Sequence, residues 1–453
     1  MPAGTALKRE LGLRDVTFFA ITCMVAPRWI PAAAHAGPGS VTLWVLGALL
    51  LGAPLAVTVG ALAVKYPEPG GLYLWARRDF GPWHGFLCFW IYWIAIATWF
   101  PTAALFYMRA GFSTLGGSYT RLGDHRVYLL ATALAAIWVA LGSNLIGLKI
   151  GKWTENAGGT ASWMLAAVLM GIAAMMWMRR GSATPIDIVP KWNWGTVNLW
   201  ASIAYGISGL EAVGMMAGEI RNPERNIPRA GWIASGLAAA FYITATIALL
   251  VVLRPEQISE LNGFGEAGQT AGLVLNARWL LPLIATLVLL SGVGQFGGLG
   301  TSVSRLPFAA GADHLLPGAF ARVHPRWGTP HISIVALGAV ATFLLTAYQL
   351  GDSLRAAYDE LVSLMVITGF VPYLYIFGCA WKAQKRLSAI SGWGITAIAL
   401  ACAVVPAAEI TNVWLFEGKL AAGTLAVIGS GWLVYRRYVT GAALMVSSPA
   451  KPS

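Results

Sequence analysis

The sequence predicts an all-α membrane protein of about twelve transmembrane helices. Of its 453 residues, 57% are hydrophobic and only 11% charged, and the mean hydropathy is +0.65. A soluble domain carries about a quarter charged residues. The apolar residues also fall in runs of roughly 20, the length a helix needs to cross the hydrocarbon of a bilayer. Most of the Lys and Arg residues lie in short stretches between those runs.

In chain order the runs place spans near 16–37, 41–64, 83–111, 127–148, 157–178, 197–218, 230–253, 277–307, 331–350, 360–381, 392–413 and 420–436. The opening MPAGTALKRELGLRD lacks the layout of a cleaved signal peptide and reads as a short cytosolic tail. The closing SSPAKPS reads as a disordered tail. An even span count puts both termini in the cytoplasm, in a multi-pass protein of the plasma (inner) membrane. Roughly 20 Lys/Arg then fall inside and roughly 10 outside, as the positive-inside rule asks. Arg179, Arg180 and Lys191 go against it, in an outer loop.

The net charge of +12 does not mark a nucleic-acid binder, because no basic run with interleaved aromatics is present. Cys23, Cys88, Cys379 and Cys402 lie inside apolar runs without metal or CxxC spacing. The six histidines (His35, His84, His125, His314, His324, His331) form no metal spacing either. Gly292–Gly297 fits GxGxxG, but it sits within a membrane run that continues with Gly298 and Gly300. Close helix packing explains it better than a dinucleotide site. With no Walker A, HExxH or GxSxG pattern, neither an ATP-driven pump nor an enzyme is expected. Neither a cofactor nor a metal is expected.

Two spans have broken centres. The first, TFFAITCMVAPRWIPAAAHAG, holds Pro27 and Pro31 around Arg28, and proline removes an amide donor and disfavours helix before it. The sixth is loosened by Gly206, Gly209 and Gly214, carries Glu211 at membrane depth, and runs into a polar loop with Arg221, Arg225 and Arg229. Five spans separate the two starts. Interrupted segments in corresponding places of two halves point to an inverted-repeat transporter with its site at the interruptions.

Three blocks carry a resemblance. After span 2 comes YPEPGGLYLWARRDFGPWHGF; span 6 and its exit give GLEAVGMMAGEIRNPERNIPRA; the end of span 8 gives SRLPFAAGADHLLP. Together, over nearly the whole chain, they resemble the amino acid–polyamine–organocation permeases, most closely the glutamate:GABA antiporter-like branch. That resemblance implies a LeuT-like 5+5 inverted repeat with broken helices 1 and 6, in one membrane transport domain covering 1–453. Repeat one would cover about 14–180, repeat two about 195–385, with two further helices at about 390–437 and a disordered tail at 440–453. It implies a secondary transporter, driven by proton coupling or exchange, for an amino acid or related amine. A polyamine or decarboxylation-product antiporter, or a nontransporting sensor, remains an alternative. The partners are a small-molecule substrate and the lipid bilayer, and the oligomeric state is left open. Many members have a Gly-Ser-Gly-like turn in span 1. Here Met24, Val25 and Ala26 stand there, followed by Pro27 and Arg28.

Candidate site residues follow from the breaks and the resemblance. Met24, Val25, Ala26, Pro27 and Arg28 lie at the first break, and Tyr205, Ser208, Gly209 and Glu211 at the second. Backbone groups left unpaired there could hold the two ends of an amino acid. Glu211 is a candidate for proton coupling or gating, or a partner for a cationic substrate, or it only hydrogen-bonds backbone freed by the break. Arg28 stays charged in the membrane; it clamps a substrate carboxylate, or it pairs with an acid such as Glu211 and closes a gate. Tyr205 resembles the family's aromatic-lid position, which closes over bound substrate, or is an ordinary interfacial or core aromatic. Tyr92, Ile96 and Trp99 share a face of span 3, and Gln295 and Leu299 share one of span 8; both faces are pocket walls or packing. Glu219, Arg221, Glu224, Arg225 and Arg229 form a candidate gating network with Arg77, Arg78 or Arg305, or are solvated loop charges.

Overall fold

The computed structural model describes residues 9–116, 118–185, 187–190, 194–348, 354–404 and 413–446. Among the described residues there are nineteen α-helices and no strand. α1 (Leu13–Met24) and α2 (Trp29–His35) form one bent span with 47° between them. α3 (Ser40–Gly47) and α4 (Ala53–Lys65) are joined by wider π-type turns over Ala48–Gly52. Such a local widening is rare and is accommodated inside an otherwise α-helical span. α5 (Gly71–Phe80), α6 (Pro82–Leu115), α7 (Ser118–Asp124), α8 (Arg126–Ile146) and α9 (Leu148–Arg180) follow.

The second half opens with α10 (Trp194–Ile207) and α11 (Glu211–Met215), separated by Ser208–Leu210. Then come α12 (Pro223–Val252), α13 (Gly263–Val274), α14 (Leu280–Val303), α15 (Arg305–Ala312), α16 (His331–Tyr348), α17 (Leu354–Lys382), α18 (Arg386–Val404) and α19 (Val413–Val446). Eight helices among the described residues are long and apolar enough to cross a membrane, or nine with the α1–α2 pair. The expected spans 6, 9 and 12 correspond to α10–α11, α16 and α19, which fall short of that measure singly. The protein is multi-pass.

Several expected boundaries move. The first break covers Val25–Arg28, and Pro31 lies inside α2. A proline in the first turn of a helix removes an amide that has no intrahelical partner, so Pro31 does not break the chain. The polar loop after span 6 ends early, because Pro223 starts α12 at the position where proline is favoured. The block after span 2 is largely helical, as α5. The twelve-residue α13 between spans 7 and 8 is too short to show as a span. α19 continues to Val446, so residues 440–446 extend an apolar helix instead of a tail; the remainder of that tail lies outside the described residues.

Small residues set the closest approaches. A Cβ on Gly158 of α9 or on Gly294 of α14 would fall 2.3 to 2.4 Å from the other's Cα, so the two backbones touch there. A Cβ on Gly292 would meet the Tyr107 ring at 2.5 Å. The glycine run of α14 is therefore a packing surface, which membrane helices use because lipid gives them little hydrophobic drive to associate.

Candidate functional site

The two helix interruptions face each other. A Cβ on Gly209 would lie 2.8 Å from the Cys23 carbonyl oxygen, and Gly209 adopts φ +106°. Only glycine takes that backbone conformation and tolerates that approach without strain.

Broken helices leave polar backbone groups that lipid cannot satisfy. Here side chains satisfy several of them. The Tyr242 hydroxyl donates to the Met24 carbonyl at 2.8 Å and accepts the Ala26 amide at 2.8 Å. Gln295 Nε2 donates to the Val25 carbonyl at 2.8 Å, while its Oε1 accepts the Tyr107 hydroxyl at 2.6 Å. At the second break the Gly209 amide donates to Glu211 Oε2 at 3.1 Å. These amides and carbonyls, expected to be available to a ligand, are already engaged.

Glu211 is the first residue of α11 and is buried. Tyr92 of α6 donates to its Oε1 at 2.7 Å, and Tyr373 of α17 to its Oε2 at 2.6 Å. One carboxylate thus ties three helices together. Around it lies a cavity lined by Cys23, Met24, Ala26 and Trp29 from the first break. Tyr92, Ile96 and Trp99 line it from α6, and Tyr205, Gly206, Ser208, Gly209 and Glu211 from the second break. Gln295 and Leu299 come from α14, and Gly369 and Tyr373 from α17. The centre of a water-sized sphere can range over about 30 Å³ of it. That is room for about one or two water molecules, and not for an amino acid. Tyr205 packs its ring 5.9 Å from Trp29 and 5.8 Å from Phe370, covering one side of the cavity.

The structure brings Met24, Ala26, Tyr92, Ile96, Tyr205, Ser208, Gly209, Glu211 and Leu299 to this cavity, with Trp99 and Gln295. Val25, Pro27 and Arg28 do not line it. Successive helical residues point about 100° apart, and with Trp29 turned to the cavity, Arg28 faces α6 and α17. Its Nη1 donates to Thr102 Oγ1 at 3.0 Å and its Nη2 to Met365 Sδ at 3.5 Å. Its guanidinium lies 4.2 Å from the Trp29 ring centre and 5.6 Å from that of Trp99. The Arg28–Glu211 pairing is not formed, because both Glu211 oxygens are taken by tyrosines. Only 2% exposed, Arg28 is held by two indole faces and makes no ion pair among the described residues.

Cys23, Trp29, Gly206, Gly369 and Tyr373 line the cavity without having been expected as site residues, although Gly206 was read as loosening span 6. Cys23, Trp29 and Gly206 flank the breaks, so the signal was within reach. Tyr373 follows Pro372 in an apolar span, a weak mark of a polar group aimed inward. Gly369 carries no sequence signal; it accepts the Tyr205 ring, 2.6 Å from where its Cβ would be.

Near the chain's amino-terminal end, Glu10 and Leu11 amides donate to the Glu219 carbonyl at 2.9 and 3.0 Å, pinning the entry of α1 to the exit of α11. Glu219 is bidentate with Arg305, at 2.9 and 3.2 Å, and both side chains are buried. Arg77 pairs instead with Asp313, which also accepts the Tyr73 hydroxyl at 2.6 Å. Burial and that carboxylate push the Tyr73 phenol well above its usual range. Arg78 approaches Glu68 at 3.7 Å, an exposed pair worth little. The expected network thus reduces to Glu219 and Arg305.

Two opposed helix breaks thus meet around a small aromatic cavity within a multi-pass helical bundle. The sequence model of the amino acid permease family matches residues 11–435, and the chain belongs to that family, within the amino acid–polyamine–organocation superfamily. It is 26% identical to an uncharacterized transporter of Legionella pneumophila, over 95% of this chain and 97% of the relative. A serine/threonine exchanger of Bacillus subtilis is 26% identical over 84% of each chain. A probable agmatine/putrescine antiporter of Lactococcus lactis is 23% identical over 76% of this chain and 72% of its own.

Proposed function

We propose that the protein is a secondary active transporter that moves an amino acid or related amine across the plasma membrane by alternating access. In this reading twelve spans form a LeuT-like pair of inverted five-helix repeats, both termini are cytoplasmic, and a proton gradient or exchange supplies the energy. The observation that carries it is the meeting of the two breaks at Gly209 and Cys23 around one cavity. Because the cavity has room for about one or two waters, the substrate enters after its walls separate, and Glu211 with Tyr92 and Tyr373 is the contact that must open. Tyr205 and Trp29 close over the occupant.

The wall offers one carboxylate and five aromatic residues, and no Lys or Arg. That chemistry suits an ammonium group, through Glu211 and through the aromatic faces. It also favours a second reading, an amine or polyamine antiporter: the break amides that a substrate carboxylate would need are engaged by Tyr242 and Glu211, and Arg28 stands behind Trp29 and Trp99. A thermal-shift screen of purified protein against amino acids and amines between pH 5 and 8, followed by uptake of hits into proteoliposomes, tests both. A ligand stabilises the folded protein by mass action. Stabilisation by amino acids that are then taken up supports the first reading, and by amines alone the second. Ligand binding without uptake would make the protein a sensor.

A further inference from the structure

We infer that Glu155 is a proton-carrying residue of the transport cycle, placed outside the cavity where α9 crosses α1 and α14. This rests on the secondary-transport reading above. Glu155 is 4% exposed, on a helix long and apolar enough to span the membrane. An ionisable group buried this completely is costly and is seldom kept without a partner or a task. Thr301 Oγ1 of α14 donates to its Oε1 at 2.7 Å, and Thr22 Oγ1 of α1 reaches its backbone carbonyl at 3.4 Å. Gly297 presents its open face to the Glu155 side chain, 3.3 Å from where a Cβ would be. Glu155 makes no ion pair among the described residues.

The surroundings hold one cation for two acids. Arg305 Nη1 donates to the Thr301 carbonyl at 2.6 Å, so one threonine joins Glu155 to Arg305. Arg305 is already committed to Glu219 through two hydrogen bonds. From α15 and the α11–α12 connection, Arg305 and Glu219 are the charges Glu155 feels; from α1 it faces the Cys23 thiol. Lys152, one turn earlier on α9, is tied to Asp15 of α1 at 3.4 Å in a half-exposed pair. Asn144 of α8, bonded through Nδ2 to the Gly297 carbonyl at 2.8 Å, is neutral.

With Glu155 ionised, the buried trio Glu155, Arg305 and Glu219 carries a net negative charge in a poorly solvated place. With Glu155 protonated the trio is neutral. One guanidinium therefore balances only one of the two carboxyls in the packed arrangement. When this end of the bundle opens, Arg305 parts from Glu219 and lies within one turn of Thr301, where it can compensate an ionised Glu155. Closing then takes up one proton from water at the Glu155 carboxyl, and opening returns it. α1 and α14 carry that state to the cavity, since Cys23, Met24 and Leu299 line it.

The test uses the full protein in proteoliposomes with a labelled substrate that the wild type carries. Accumulation driven by an imposed pH gradient is compared with counterflow at equal pH on both sides, between pH 5 and 8. For Glu155→Gln, gradient-driven accumulation should fall by at least about tenfold, with a flattened pH profile. Counterflow should persist, and Glu155→Asp should recover part of the coupling. Glu155→Gln protein that accumulates substrate with the wild-type pH profile overturns the proposal, as does an equal loss of both activities in protein of unchanged melting temperature. A wild type that exchanges substrate but ignores the proton gradient also overturns it, and leaves the transport reading intact. A wild type that moves neither amino acids nor amines overturns that reading as well. If Glu155→Gln fails to fold, Thr301→Val removes the bonded hydroxyl at constant shape. A shifted pH midpoint of uptake then supports the proposal, and an unmoved midpoint overturns it.

Discussion

The hydroxyl of Tyr242 stands in for a missing turn of helix: it donates to the carbonyl of Met24 and accepts the amide of Ala26, each at 2.8 Å. One side chain of α12 thereby fills both halves of the hydrogen-bonding gap where α1 ends. Tyr242→Phe keeps the ring stacked on Trp44, at 4.2 Å, but orphans both backbone groups. A buried polar group left unpaired costs about 1–3 kcal/mol. The variant should unfold at a lower temperature in detergent, and hydrogen exchange at residues 24–26 should quicken. An unchanged melting temperature would mean that water takes over both bonds.

Gly209 should tolerate no side chain. A Cβ at φ +106°, 2.8 Å from the Cys23 carbonyl, strains the backbone and pushes the two breaks apart. Gly209→Ala should lose transport and melt earlier. Gly142→Ala, where nothing lies within 4 Å of the added methyl, is the control and should melt within a degree or so of wild type.

The crossing of α9 and α14 gives a stricter case. Gly158→Ala and Gly294→Ala would each drive a methyl to within 2.4 Å of the facing backbone. Overpacking of this kind costs about 1–3 kcal/mol or more. Either variant should reduce the yield of monodisperse protein on gel filtration. The double variant should be no worse than additive if the helices can slide apart.

Glu211→Gln keeps the size of the side chain and removes its charge. If the carboxylate receives a substrate ammonium, affinity in a thermal-shift titration should fall by about tenfold or more, equivalent to about 1.4 kcal/mol. Tyr92→Phe and Tyr373→Phe each remove one of the two hydroxyls that hold the carboxylate, and should weaken binding less. Equal affinities in all three variants would move recognition to another wall of the cavity.

Glu219→Ala should be among the most destabilising single changes, since it leaves Arg305 buried without its partner. Removing one member of a buried pair costs about 3–5 kcal/mol, whereas replacing both by apolar residues is often nearly neutral. The double variant Glu219→Leu with Arg305→Met should therefore recover much of the lost melting temperature. If the pair is also an inner gate, it should recover stability without restoring transport.

The helical class was legible because apolar run length is set by the thickness of the bilayer and needs no knowledge of neighbours. So were both breaks, since proline and glycine act on the chain locally. Glu211 and Tyr205 could be placed near the cavity for the same reason: they lie beside a break. Side-chain orientation was not legible in the same way. Val25, Pro27 and Arg28 are neighbours of cavity residues in sequence but point away from it.

The sequence by itself determined a polytopic helical membrane protein with interruptions about Pro27–Pro31 and about Gly206–Gly214, and with blocks resembling those of a permease family. Only the tertiary structure decided which groups meet. It gave Glu211 two tyrosines from distant helices instead of Arg28, and engaged the break amides that looked open. It also turned one threonine of α14 into a link between Glu155 and Arg305. The reason is physical: a local signal says where a helix must stop, but the partner of a buried polar group is fixed by helix rotation and crossing. Those depend on close contacts such as Gly158 against Gly294, which join residues more than a hundred positions apart.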